Sequence, residues 1–254
     1  MPDPKWIDKF ELKPGTWIFV PSEESRRSGR KIKRLLESRW ANPDYYYHLR
    51  EGGHVQAMKS HTSGKYFLHL DLRQFFSSIN RSRITRSLKV RLGYKNAREI
   101  AKVSTVPGQT PDSSAFVLPF GFVQSPVLAS ICLRHSKLGK TLHALSKKTQ
   151  TKVSVYVDDI IISTQSAEEA QDALTEVKAA AKRSRFPLNA DKEEGPAEQI
   201  TAFNIKLSFS SLTLSEERLS QFLKAYRESD SQRKKEGILG YIESVNSGQS
   251  AYFL

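Results

Sequence analysis

Cysteine is almost absent from this 254-residue chain; there is one, Cys132, in an apolar stretch that reads as buried. One thiol closes no internal disulfide, so the core must hold the fold unaided, and a cytoplasmic setting is expected. Long apolar runs are missing as well, which leaves no candidate membrane span and no expected membrane partner. The opening residues Met-Pro-Asp-Pro-Lys lack the apolar stretch of a signal peptide. Acids are scarce: 27 Asp and Glu face 40 Lys and Arg, for a formal charge of +13.

That excess comes in blocks. Residues 26 to 39 hold seven basic side chains, Arg26, Arg27, Arg30, Lys31, Lys33, Arg34 and Arg39, against Glu37 alone. Residues 81 to 102 hold eight against Glu99 alone. A solvated helix face accounts for either block by itself. Together they make a polyanion the expected partner.

In the middle of the chain stands Val153-Ser154-Val155-Tyr156-Val157-Asp158-Asp159-Ile160-Ile161-Ile162. β-branched residues flank two adjacent carboxylates, predicting two strands joined by a tight turn that carries Asp158 and Asp159. Taken alone, the pair is an ordinary Asp-rich turn. Tyr66 to Asp71, 87 residues before Asp158, reads as a second strand that also ends in an acid. Three carboxylates at strand ends repel one another unless a cation sits among them, and hard oxygen ligands suit Mg²⁺. Such a set fits nucleotidyl transfer. There, one ion activates a 3′-hydroxyl and a second holds the triphosphate and the leaving pyrophosphate.

The remainder is read from pattern. Residues 1 to 25 predict an irregular packed arm. Arg26 to Trp40 has helical spacing through Ile32, Leu35 and Leu36. Tyr45-Tyr46-Tyr47 either stacks bases or packs a small subdomain. Ser82 to Leu92 predicts a basic helix, and Pro107 to Ser114 a mobile loop. Pro126 stands at the start of a helix running from Val127 to about Leu145. Ser166-Ala167-Glu168-Glu169 is a capping box. Ile200 to Leu214 predicts a second hairpin. Helices follow from Ser215 to about Tyr226 and from about Lys234 to Val245.

Five stretches carry a resemblance. Phe67-Leu68-His69-Leu70-Asp71-Leu72-Arg73-Gln74-Phe75-Phe76-Ser77-Ser78-Ile79 and Leu118-Pro119-Phe120-Gly121-Phe122-Val123-Gln124-Ser125-Pro126-Val127-Leu128-Ala129 resemble the first two palm motifs of retron and group II intron reverse transcriptases. Tyr156-Val157-Asp158-Asp159 resembles that family's most specific tetrapeptide, and Leu188-Asn189-Ala190-Asp191-Lys192 its following loop. Phe203-Asn204-Ile205 falls where the primer-grip hairpin is expected.

The resemblance implies an α+β fold: a right-hand polymerase palm, an antiparallel sheet backed by helices, with N-terminal fingers (1–65), palm (66–214) and a short helical thumb (215–254). It implies two Mg²⁺ ions, or Mn²⁺, on Asp71, Asp158 and Asp159, with Lys192 attending the pyrophosphate. The Leu72 carbonyl is expected beside a metal and Phe76 at the steric gate against ribose. Phe120, Gly121, Gln124 and Tyr156 are expected at the nucleotide, and Arg26, Arg27, Arg30, Lys31 and Arg34 on nucleic acid.

Two departures are read here: Phe120 where relatives carry Gln, and Asn204 where they carry Gly. These traits, with the short thumb, resemble bacterial defence-associated reverse transcriptases. Expected partners are deoxynucleoside triphosphates, an RNA template (a dedicated non-coding RNA among the options), the DNA product, and a protein partner or second copy. Untemplated or protein-primed synthesis, or a non-catalytic RNA-binding scaffold, are the alternatives.

Overall fold

The computed structural model describes residues 4–109 and 115–253. Contacts divide the chain into two units. One comprises residues 1–43, 72–141 and 179–187, the other residues 44–71, 142–178 and 188–254.

The second unit is built on a four-stranded antiparallel sheet. Its strands, numbered by position in the whole chain, are β3 (Tyr66–Asp71), β6 (Lys152–Tyr156), β7 (Asp159–Thr164) and β8 (Glu194–Ala197), in the order β6-β7-β3-β8. Strand β3 lies inside the sheet and five of its six residues are buried, which is why it reads as a nearly unbroken apolar run. Register is fixed residue by residue, from Tyr66 opposite Thr164 to Asp71 opposite Asp159. With side chains alternating between faces, Phe67, His69 and Asp71 share one face of β3. Gly195 holds β8 close: a Cβ there would lie 2.1 Å from the Phe67 carbonyl oxygen.

A three-stranded sheet, β9 (Gln199–Ala202), β10 (Ile205–Ser208) and β11 (Ser211–Leu214), follows where one hairpin was expected. The extra reversal is at Phe209-Ser210, with Ser210 left-handed at φ 55°. Residues of these strands, among them Ile200, Ile205 and Leu207, form an apolar cluster with Phe67 and with Ile238, Ile242 and Val245 of helix α9 (Gln232–Val245). Helix α8 (Glu216–Arg227) precedes it, capped by the Ser215 hydroxyl as expected. Helix α2 (Gly53–Lys59) leads to His61, fully buried between Ser163 Oγ and Ser154 Oγ at 2.8 Å each.

The first unit is mostly helical. The irregular arm expected over residues 1 to 25 is instead a β-hairpin, β1 (Trp6–Lys13) and β2 (Thr16–Pro21), closed by Gly15 at φ 78°. Seven of the eight β1 residues are exposed, so no buried face stamped an alternation on its sequence. Helix α1 (Glu23–Arg39) starts at the Ser22 cap and buries Gly29, Ile32 and Leu36; Leu35, expected on that face, is exposed. Helix α3 (Arg81–Leu92) matches expectation and is followed by α4 (Tyr94–Val103). Residues 110 to 114 of the expected mobile loop lie outside the described residues, between the short strands β4 (Val106–Pro107) and β5 (Phe116–Val117).

The long helix expected after Pro126 is two helices, α5 (Ser125–Arg134) and α6 (Lys137–Leu145). Ser136 ends one and starts the other: its hydroxyl donates to the Leu133 carbonyl and accepts from the Gly139 amide at 3.0 Å. Helix α6, like α7 (Ala167–Ser184), contributes residues to both units. The Ser166 cap of α7 forms as expected, its Oγ accepting from the Glu169 amide at 3.2 Å, while the Glu169 carboxylate accepts from the Gln165 amide at 3.3 Å instead of from Ser166. Among the described residues no helix is long and apolar enough to cross a membrane.

Candidate active site

The second unit gathers three of the acids singled out in the sequence. Asp71 closes β3 and Asp159 opens β7 directly opposite it; Asp158 sits beside them in the two-residue turn between Tyr156 and Asp159. Two carboxylates facing each other across a strand pair destabilise it unless each finds a donor. Asp71 is 5% exposed; its Oδ1 accepts from Asn189 Nδ2 at 3.1 Å and its Oδ2 from Lys192 Nζ at 2.8 Å. The Asn189 amide also donates to the Asp71 carbonyl at 2.9 Å, tying that loop to the strand end. Proximity to Asp71 holds the Lys192 ammonium above its ordinary pKa. Asp159 Oδ1 accepts from His69 Nε2 at 2.8 Å.

Asp158 is left as the least compensated of the three. Burial, then the charges of Asp159 and Asp71, push its carboxyl up to about 6, against only its own backbone hydrogen bond and Lys192. Among the described residues no three His, Cys, Asp or Glu side chains form a ready-made metal cage. The donor chemistry nevertheless fits Mg²⁺. That ion takes one or two carboxylates and keeps water and phosphate on its other positions, so it needs no closed protein cage. A raised carboxyl beside two others is a site that gains by binding a cation in place of a proton.

The turn is strained where it carries the acid. Val157 adopts φ 59°, a left-handed conformation that a β-branched residue rarely takes. Its amide lies 3.0 Å from His48 Nδ1, and burial lowers His48 to about 4, so the ring is neutral and able to accept that bond. Tyr156 is ringed by His48, His54 and Phe203 at centroid separations of 6.0, 5.8 and 5.4 Å. Phe203 and Asn204 form the β9–β10 turn, both left-handed at φ 56° and 60°. Asn is the side chain that best tolerates such a position after Gly, which accounts for Asn204.

The other candidate nucleotide residues belong to the first unit. Leu72 is buried. Phe76, 5% exposed, packs edge-to-face on Phe120 with centroids 4.5 Å apart and against Phe75 at 5.7 Å. Gly121 is obligatory: at φ 99°, a Cβ would meet the Phe19 carbonyl oxygen at 2.1 Å. Gln124 is buried, donating to Ser104 Oγ at 3.2 Å, and its Oε1 would be 2.3 Å from a Cβ at position 29, so Gly29 makes room for it. A cavity of about 170 Å³ is lined by Trp17, Phe19, Gln74, Ser77 and Phe120 among others.

The basic blocks separate on inspection. Arg27, Arg30, Lys31 and Arg34 of α1 are exposed and Arg26 half-buried. In the second block, Arg81 stacks on Phe116 and Arg83 on Phe186, at 3.9 and 4.2 Å from the ring centroids. Arg83 also donates to the Ser184 carbonyl at 2.7 Å. Arg81 and Arg83 therefore each have a partner within the first unit, a ring in both cases. His69, the strained Val157 and His48 were not foreseen as site residues. The legible signal for His69 was its place two residues before Asp71 in a strand, hence on the same face.

The chain matches the sequence pattern of the reverse transcriptase (RNA-dependent DNA polymerase) family over residues 12–224. No curated protein matches it. Its fold is similar to apo telomerase from Candida tropicalis (TM-score 0.55, 11% identity, 84% of this chain and 43% of that one). It is also similar to Candida albicans telomerase in complex with a telomeric RNA fragment (0.53, 11%, 91% and 45%). A third likeness is to the foamy viral protease-reverse transcriptase in complex with double-stranded DNA (0.50, 18%, 91% and 34%). This chain spans between a third and a half of those longer chains, and at such identities the likeness speaks for the fold alone.

Asp158 gives a stability test. Its folded-state carboxyl holds a proton more tightly than the ordinary value of 3.8 allows, so ionisation costs the fold stability above about pH 6. The cost fades as pH falls towards 4 and amounts to at most about 3 kcal/mol. Without metal, Asp158→Asn should melt higher than wild type at pH 8, the gap closing near pH 4. Added Mg²⁺ should raise the wild-type melting temperature at pH 8 and barely move the variant. A gap independent of pH would contradict this account of Asp158.

Proposed function

Because the chain belongs to the reverse transcriptase (RNA-dependent DNA polymerase) family, we propose that it copies an RNA template into DNA by adding deoxynucleotides to a 3′-hydroxyl. The observation that carries this reading is the register pair Asp71–Asp159 with Asp158 in the adjoining turn. Divalent ions bound there, two Mg²⁺ in the reading offered here, would supply the Lewis acidity that activates the hydroxyl and steadies the pyrophosphate. Asp71 and Asp158 are the principal ligands in this reading, with Asp159 beside them and the Leu72 carbonyl as a further donor. Lys192, whose ammonium lies 2.8 Å from Asp71 Oδ2, would attend the departing pyrophosphate. Half of its side chain is exposed, which leaves it room to reach a ligand beside Asp71.

In this reading Phe76 excludes the ribose 2′-hydroxyl, and Phe120 backs it with a second ring where relatives place a carboxamide. Gly121, Gln124 and Tyr156 shape the nucleotide site, the buried Gln124 by holding the chain behind it. The replacement at Phe120 supports a restricted template. A dedicated RNA, with a protein partner or second copy, is the assembly we infer, acting in a bacterial cytoplasmic antiviral system. The exposed face of α1 contacts phosphates in that assembly.

The deciding experiment is incorporation of labelled deoxynucleotides, with Mg²⁺, by the protein purified together with the RNA it binds, compared with a generic RNA template carrying a DNA primer. Wild type should extend the primer, while Asp71→Asn and Asp158→Asn should each lose at least about 100-fold, the scale of removing a preorganised electrostatic partner. Equal rates in wild type and variants would refute the polymerase reading. RNA binding without synthesis by wild type would favour the scaffold.

Sugar choice is checked in the same assay. Phe76→Ala should incorporate ribonucleotides that wild type rejects, with a stability loss of about 3–5 kcal/mol from the cavity left beside Phe75 and Phe120. If the folded variant discriminates as sharply as wild type, Phe76 is not the gate.

Arg30→Glu, Lys31→Glu and Arg34→Glu together should weaken RNA binding and flatten its dependence on salt, leaving the melting temperature nearly unchanged. Binding insensitive to ionic strength in wild type would show α1 to be only a solvated face.

A further inference from the structure

The three clustered carboxylates are not supported alike. Asp71 receives two donors, and one of them, Lys192, is half-exposed on a long flexible stem. Asp159 receives its donor from His69, whose side chain is 9% exposed and rises from a central strand. Asp158 has no donor from another side chain among the described hydrogen bonds. One donor can leave, one cannot, and one acid has none.

We propose that His69 is a positioning residue for the polymerase site, its Nε2–H pinning Asp159 Oδ1 so that Asp159 faces the ion through its other oxygen. This rests on the reading of the acids as ion ligands given above. Register explains how His69 reaches Asp159. It stands opposite Ile161 in the β3–β7 pair, so Asp159 is its diagonal neighbour on the same face, within reach of a ring. The proton is assigned to Nε2 by the network. Among the described residues Nδ1 is buried with no hydrogen-bond partner, so an N–H there would have nowhere to go, whereas Nε2 has a carboxylate oxygen at 2.8 Å. The Phe203 ring stands 6.4 Å from the imidazole, closing that side with apolar surface. Were His69 only filling space, an apolar side chain would serve better in so buried a strand, without desolvating a ring nitrogen.

The consequence is a division of labour. Asp71 shares its oxygens with Asn189 and Lys192, Asp158 has no side-chain donor among the described hydrogen bonds, and Asp159 Oδ1 is committed to His69. Carboxylates that hold ions are themselves oriented by such outer hydrogen bonds, and loss of one weakens metal binding by about 10–100-fold.

The test uses the full chain with two substitutions. His69→Met keeps bulk without a donor; His69→Gln presents an amide N–H close to where Nε2 lay. Mn²⁺ binding read by electron paramagnetic resonance should weaken about tenfold or more in His69→Met and recover in large part in His69→Gln. The metal concentration for half-maximal incorporation should rise in parallel, while the KM for deoxynucleotide at saturating metal stays put. In an Asp159→Asn background His69→Met should add no further loss. A folded His69→Met that binds Mn²⁺ as wild type does overturns the proposal. Should that variant not fold, wild type decides. A histidine ¹H–¹⁵N spectrum must show the His69 proton on Nε2 and a shift of that signal on adding Mg²⁺. A proton on Nδ1, or no response in a protein that binds Mg²⁺, overturns it. A wild type that binds no metal and incorporates nothing refutes the polymerase reading instead, and the Nε2 tautomer in the same spectrum tells the two failures apart.

Discussion

Like-charge repulsion at the end of one strand pair is the constraint around which the second unit is arranged. Asp71 and Asp159 face each other in register, and Asp158 follows in the turn. In water three carboxylates would drift apart. Here the sheet forbids it, because moving either strand by one residue would turn every core side chain of β3 or β7 to the other face. The apolar ladder from Phe67 to Leu70 therefore does more than fill the core. It supplies the free energy that keeps the acids together.

Several neighbours make sense as answers to that repulsion. The Asn189 to Lys192 loop returns to the strand end and lends two donors, one neutral and fixed by its own backbone bond, one charged and movable. The His48 ring receives the amide of strained Val157, so the left-handed turn that presents Asp158 is paid for by a buried bond. What stays uncompensated is Asp158, and its raised carboxyl is the residue of the conflict. A site that were only structural would have settled this cluster with one more basic side chain.

Much of this was legible in the residues. The Tyr66 to Asp71 strand, the acidic hairpin, the Ser166 cap of α7 and the Ser215 cap all carry patterns set by local physics: alternation, turn residues, hydroxyl caps. What was not legible depends on neighbours distant in sequence. The β1 strand shows no alternation because neither face is buried, and the break at Ser136 is decided by two hydrogen bonds that a helical pattern hides. Val157 carries no sign that its backbone is left-handed. His69 looked like a lone polar residue in an apolar run until the register gave it a diagonal partner.

In the first unit, Phe120 sets the character of the surface beside Phe76. At position 120 a carboxamide would bring two donors and an acceptor; the Phe120 ring brings none and packs on Phe76 at 4.5 Å. Edge-to-face rings stiffen each other, so the wall expected to sense the sugar is held more rigidly than a lone ring would be. The backbone beneath is equally constrained: the Phe120 carbonyl accepts from the Phe19 amide at 3.0 Å, and Gly121 admits no Cβ against the Phe19 carbonyl. Those two contacts fix the backbone on which the Phe120 ring is mounted. Position 120 therefore contributes apolar surface against Phe76 and no polar group of its own.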